Sequence, residues 1–380
     1  MRQRQHPDPG TARAECLDEN QLVALFDGTE QDPAVHAHLD ICPDCRRVVA
    51  ELARELAAEE EADFARQGGA AHRDDGLVSG EFDGRATWRG AIVGGRYRLL
   101  RFLGEGGLGI VWSAADQGGP DTAREAFALK FLKATEAARA KRFVREGRVT
   151  AALRHPNIVH VHDAFEAEGF PPVIVMDLLQ GETLRACMRR VGRIELAPTI
   201  TVLRSIVSAL GEAHARGVVH RDLKPDNVFL SETQAGGRIV KVLDFGLAKL
   251  TALEGGFAAT SPLTNSGHIV GTPTYMAPEQ IFGEKDIDAR ADIWSLGVLA
   301  FECLSARRPV EGRTLGHALR AISTGKLTPL SEVAPDLPPA MTGLVMQMLS
   351  IDRSRRPSLY EIWEQLGAIG RYGGGSLDLG

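Results

Sequence analysis

The string HRDLKPDN at 220–227, followed by DFG at 244–246, constrains this chain more than any other feature. It gathers a carboxylate (Asp222), an ammonium (Lys224) and an amide (Asn227), and Asp244 adds a second carboxylate after a short strand pattern at Val240–Leu243. Asp222 can accept a hydroxyl proton, Lys224 can steady a transferring phosphoryl group, and Asn227 with Asp244 can hold Mg²⁺. Magnesium takes few protein oxygens besides phosphate oxygens, so one amide and one carboxylate suffice and no dedicated cage is expected.

Upstream lies GEGGLGIV, with Gly104, Gly106 and Gly109 between two strand patterns. Glycines there let the backbone approach phosphate oxygens without side-chain obstruction. A dinucleotide site would need a helix immediately afterwards, whereas a strand pattern follows here. In the next strand, FALKFL, Phe127, Leu129 and Phe131 share one face while Ala128 and Lys130 share the other. A strand lysine at this distance from a glycine loop suits the α/β-phosphates of a nucleotide, with a helical glutamate as partner. Glu146, in the amphipathic stretch RFVREGRVTAAL, is the candidate.

The wider pattern fits that chemistry. Short runs at Tyr97–Leu103, Ile110–Ala114, Phe127–Leu132 and Val173–Met176 read as strands, and after Thr183 helices dominate, broken by strands near Val228–Leu230 and Val240–Leu243. Asp292–Leu304 is apolar nearly all round but too short to span a bilayer, so it reads as a buried central helix holding Asp292 and Glu302. The chain has 380 residues, 44% hydrophobic and 25% charged, enough for a sizeable core and more than one domain. A net charge of -6 gives no basic field, so nucleic acid is not an expected partner. No membrane span and no signal peptide are read, and a cytoplasmic location is expected.

These ordered motifs, together with HPNIV at 155–159, GTPTYMAPE at 271–279, DIWSLGV from Asp292 and RRP ending at Pro357, resemble the eukaryotic-like (Hanks-type) serine/threonine protein kinases of bacteria. The resemblance implies an α+β, two-lobed fold over 93–367: a β-rich lobe at 93–178, a helical lobe at 179–367, and a tail at 368–380. It further implies ATP and Mg²⁺ as cofactors, a protein Ser/Thr hydroxyl as substrate, and Asp222, Lys224, Lys130 and Glu146 as the catalytic set. Leu103, Val111, Ala128 and Phe229 would enclose the adenine, Met176 would guard the back pocket, and backbone from Asp177 to Leu179 would hydrogen-bond the base. Glu279 is expected to pair with Arg356, Asp292 to anchor the catalytic loop, and Thr272 to contact Asp222 and Lys224. Arg221, directly before Asp222, is associated with activation segments ordered by phosphorylation, for which Thr260, Ser261, Thr264 and Ser266 are candidates.

Three of five cysteines fall within the first 45 residues. HLDICPDC sets His38 and Cys42 four apart on one helical face, Cys45 follows, and upstream Cys16 could complete a tetrahedral Zn²⁺ site. His36 lies close by, but the four-residue spacing favours His38. Over about residues 14–60 the HxxxCxxC pattern resembles zinc-binding anti-sigma-factor domains, which implies structural zinc and a sigma factor or other regulatory protein as partner; 61–92 reads as linker. Cysteines without metal, or a redox CxxC pair, are the alternatives. For the whole chain the alternative is a pseudokinase scaffold or sigma-factor-binding protein acting through this module. Cys187 and Cys303 read as inert core thiols.

Overall fold

The computed structural model describes residues 88–106, 109–118, 126–133, 137–233, 236–245, 273–282, 284, 286–310, 321 and 326–370. The expected zinc ligands Cys16, His38, Cys42 and Cys45, the activation-segment candidates Thr260, Ser261, Thr264 and Ser266, and Thr272 lie outside these residues.

Six strands build an antiparallel sheet in the order β1-β2-β3-β4-β6-β5. They are β1 (Ile92–Val93), β2 (Tyr97–Glu105), β3 (Gly109–Asp116), β4 (Phe127–Leu132), β5 (Val161–Phe165) and β6 (Val173–Asp177). The period-two pattern sets the two faces. Leu129, Phe131, Trp112, Val173 and Val175 join Trp88, Val93, Tyr97 and Leu99 in one aromatic-rich core. The register sets Val111 opposite Lys130 and Ala128 opposite Met176, so these four residues occupy the other face together.

Helix α1 (Ala137–Ala151) packs beside β5 and β6 through Phe143 and Val144, which join Val161, Ala164 and Ile174 in a second cluster. Gly147 is what permits the contact: a Cβ there would lie 2.6 Å from the Ala164 Cβ. The strand β5, VHDAF, was not legible as a strand, because His162 and Asp163 interrupt the alternation and only pairing with β6 makes it one.

The remaining elements are mostly helical: α2 (Leu184–Val191), α3 (Leu196–Ala215), α4 (Pro278–Ile281), α5 (Arg290–Ser305), α6 (Leu330–Val333), α7 (Pro339–Met348) and α8 (Leu359–Gly370). A small antiparallel sheet, β7 (Gly181–Thr183), β8 (Val228–Glu232) and β9 (Arg238–Val242), lies among them. Thr183 ends β7 and caps α2, its hydroxyl accepting from the N–H of Ala186 at 3.1 Å. As expected, α5 is the core helix, with every residue from Ala291 to Leu304 buried. No described helix is long and apolar enough to cross a membrane. Cys187 and Cys303 are buried thiols, and burial raises the pKa of both, which suits inert packing.

Buried charge in this half is paired. Arg356 grips Glu279 with both guanidinium arms, at 2.6 and 2.8 Å, beneath the Trp294 ring, and also donates to the carbonyls of Arg290 and Ser350. Glu302 accepts from Arg185 at 2.8 Å and from the Tyr275 hydroxyl. Truncating one member of a buried pair strands the other charge, at a cost of about 3–5 kcal/mol. Arg356→Met is therefore expected to lower stability by about that amount, and Glu279→Gln in the same chain to recover part of it. Urea unfolding followed by tryptophan fluorescence measures both; equal midpoints for Arg356→Met and the parent would refute the stabilising role.

Candidate active site

The segment from His220 to Asn227 is organised from beneath by one carboxylate. Asp292, fully buried in the first turn of α5, accepts from the backbone N–H of His220 at 2.9 Å and of Arg221 at 2.8 Å, and pairs with His214 Nε2 at 2.7 Å. Arg221 takes a left-handed φ of 65°, a costly conformation for a residue with a side chain, and Gln280 holds its carbonyl at 2.8 Å. His220 has one ring nitrogen 2.8 Å from the Leu243 carbonyl while the other faces the Asp222 N–H at 3.2 Å. A neutral imidazole protonated at Nε2 satisfies both contacts.

Above this base, Lys224 Nζ reaches both Asp222 carboxylate oxygens, at 2.9 and 2.8 Å. Asn227 Nδ2 donates to the Asp222 carbonyl at 2.7 Å and to its carboxylate at 3.0 Å. The Asp222 side chain remains 35% exposed, open to an incoming hydroxyl. Because the Asn227 amide nitrogen is committed, its oxygen is the end left for a cation. Asp244 likewise keeps Oδ1 clear of Lys130, so the pair offers two hard oxygen donors of the kind Mg²⁺ takes.

Asp244 also has a left-handed φ, 59°, and Phe245 behind it is buried against the His220 ring, with centroids 4.7 Å apart. The Thr150 hydroxyl on α1 donates to the Phe245 carbonyl at 3.0 Å, tying the sheet-side helix to this loop. Lys130 Nζ lies 2.6 Å from Asp244 Oδ2. Burial pushes the Asp244 carboxyl up, but the Lys130 charge and hydrogen bond, helped by the Lys224 charge, outweigh it and hold the group below the ordinary carboxylate range.

The expected Lys130–Glu146 ion pair is the departure. Among the described residues Lys130 pairs with Asp244, and Glu146 stays half-buried on α1 without an ion-pair partner. The contact is a short charge-assisted hydrogen bond, which ties the β4 lysine directly to the Asp244 carboxylate.

The other candidates are placed by the two sheets and the segment after β6. Val111, Ala128 and Met176 share the Lys130 face, as the strand registers require. Phe229 lies opposite Thr183 in the small sheet, and Leu103 is 37% exposed near the end of β2. Asp177 and Leu178 spend their N–H groups on the His160 and Ala126 carbonyls, while the Leu179 N–H makes no backbone hydrogen bond among the described residues. The glycines divide by role. A Cβ on Gly104 or Gly106 would meet open space, whereas one on Gly109 would lie 2.0 Å from the Phe131 carbonyl oxygen. Gly109 therefore also serves the β3–β4 approach. Sequence reasoning missed His220, Thr150 and Phe245: their roles arise from contacts distant in sequence, and only their nearness to the two motifs could have drawn attention to them.

Relatives match this arrangement. Residues 97–366 match the family model described as "Protein kinase domain". "Serine/threonine-protein kinase PknA" of Mycobacterium tuberculosis is 36% identical over 277 residues, covering 71% of this chain and 59% of the relative. "Serine/threonine-protein kinase pkn2" of Myxococcus xanthus is 35% identical, covering 73% of this chain and 33% of the relative. The match thus spans less than two thirds of either curated relative. The crystal structure of the Mycobacterium tuberculosis PknI kinase domain, a double mutant, is 26% identical with a TM-score of 0.57, covering 74% of this chain and 98% of that one. With its β-rich sheet, its helical half and the HRDLKPDN and DFG motifs in the cleft, the chain belongs to the protein kinase family.

Proposed function

We propose that the chain is a serine/threonine protein kinase that transfers the γ-phosphoryl group of ATP to a protein hydroxyl. The observation that carries this reading is the Asp222–Lys224–Asn227 cluster facing the Lys130–Asp244 pair. Asp222 accepts the proton of the attacking hydroxyl, whose oxygen forms the new bond to the γ-phosphorus as the bond to the β-phosphate oxygen breaks and ADP leaves. Lys224 and Lys130 offset charge on the phosphates. Asn227 and Asp244 would hold Mg²⁺, which supplies further neutralisation there. Leu103, Val111, Ala128, Met176 and Phe229 would enclose the adenine, with the Asp177 carbonyl and the Leu179 N–H as its hydrogen-bonding edge.

Glu146 enters as the partner of Lys130 once nucleotide and Mg²⁺ compete for Asp244. Arg221 Nε and Arg142 Nη1 are buried without hydrogen-bond partners, which supports a missing anionic partner; phosphorylated Thr260, Ser261, Thr264 or Ser266 would supply it. Residues 14–60 are read as a regulatory or docking module holding structural Zn²⁺ through Cys16, His38, Cys42 and Cys45, with a sigma factor or other regulatory protein as its partner.

Phosphate incorporation from γ-labelled ATP and Mg²⁺ tests the activity. Asp222→Asn is expected to lose at least about a hundredfold in turnover while still binding a fluorescent ATP analogue. Unchanged turnover would remove the assignment of the base, and no labelling by the parent together with no analogue binding would leave only a scaffold. Glu146→Ala should stay within about 0.5 kcal/mol of the parent in stability yet lose at least tenfold in kcat/KM; equal kinetics would place Lys130 permanently with Asp244. For the amino-terminal module, elemental analysis of the full chain should find about one zinc, lost in the Cys42→Ser/Cys45→Ser chain. Metal-free parent protein prepared with zinc supplied would end that part of the reading.

A further inference from the structure

The outer side of α1 borders a groove of about 550 Å³ lined by Lys141, Val144, Arg145, Arg148, Val149 and Glu166. Steps of three and four residues align Lys141, Arg145 and Arg148 along one stripe of the helix. None of these cations forms an ion pair among the described residues. Arg148 Nε donates to the Ala164 carbonyl at 3.2 Å, which fixes its guanidinium beside β5. Val149 is 40% exposed, a branched apolar side chain set among the charges, and Val144 lies deeper. Glu166, just beyond β5, is the one carboxylate in the lining.

Three cations against one carboxylate select for an anion, and the two valines favour an apolar side chain beside it. Bare phosphate would leave the valines uncovered. A nucleic acid would need a longer basic track, and the chain as a whole is acidic. An acidic peptide satisfies both features, its carboxylates meeting Lys141, Arg145 and Arg148 while an aromatic or long aliphatic side chain covers Val144 and Val149. We propose that this groove docks an acidic, apolar-bearing peptide segment of a partner protein. It is built from residues outside the phosphoryl-transfer cluster, so the proposal stands or falls independently of the activity above.

The test uses the full chain and a fluorescein-labelled peptide of glutamates and aspartates carrying one phenylalanine, read by fluorescence anisotropy, with a lysine-for-glutamate version as control. Saturable binding is expected for the acidic peptide alone, weakening as salt rises. It should weaken at least tenfold in Lys141→Glu/Arg145→Glu and, through the apolar contact, in Val149→Asp. Unchanged binding of the ATP analogue shows that each variant is folded. No saturable binding, equal binding by both variants, or equal binding of the lysine peptide would overturn the proposal. Self-association of the parent that the double reversal abolishes, without peptide binding, would give the groove to a second copy of the chain and also overturn it.

Discussion

The candidate active site depends on Asp292. A carboxylate buried in the first turn of the most buried helix could not be tolerated without partners, and its partners are the backbone N–H groups of His220 and Arg221 and the His214 ring. Through them the loop before Asp222 is fixed to the helical core, and the left-handed Arg221 becomes sustainable because Gln280 holds its carbonyl. His220 then carries order onward in two directions, to the Asp222 N–H and to the Leu243 carbonyl, just before Asp244. One buried charge thereby helps set the positions of Asp222 and Asp244.

The sheet side is held less tightly to one arrangement. Lys130 is placed by strand pairing, so its origin is rigid, but its ammonium can reach different anions. In this state it takes Asp244. Glu146 rides on α1, whose own position depends on Gly147 closing against Ala164 and on the Thr150 hydroxyl bonding the Phe245 carbonyl. Lys130 is thus joined to the site through a single ion pair, whereas the Asp222–Lys224–Asn227 cluster is held by several hydrogen bonds.

Much of this was legible in the sequence for reasons that can be named. In FALKFL period two alone puts Lys130 on the face opposite Phe127, Leu129 and Phe131, and α5 announced itself by a largely apolar stretch whose only charges from 292 to 304 are Asp292 and Glu302. HRDLKPDN and DFG are contiguous, so their residues could be read together. Contacts between distant segments could not be read so directly. The strand character of VHDAF exists only through β6, the second duty of Gly109 requires knowing that Phe131 lies opposite, and the Lys130 partner depends on charges present rather than on spacing. The stripe Lys141–Arg145–Arg148 came to notice only through the groove, which needs β5 and Glu166 to close it.

The most direct measurement of the account is steady-state phosphotransfer by Asp292→Asn, with ATP-analogue affinity measured on the same preparation. The substitution keeps shape but removes the charge that gathers the His220 and Arg221 N–H groups. If Asp292 positions the loop, kcat should fall at least tenfold in a variant that still binds the analogue, since Lys130 itself is placed by the sheet. An unchanged kcat in a folded variant would contradict the account, because Asp222 would then be held in place without the buried carboxylate beneath it.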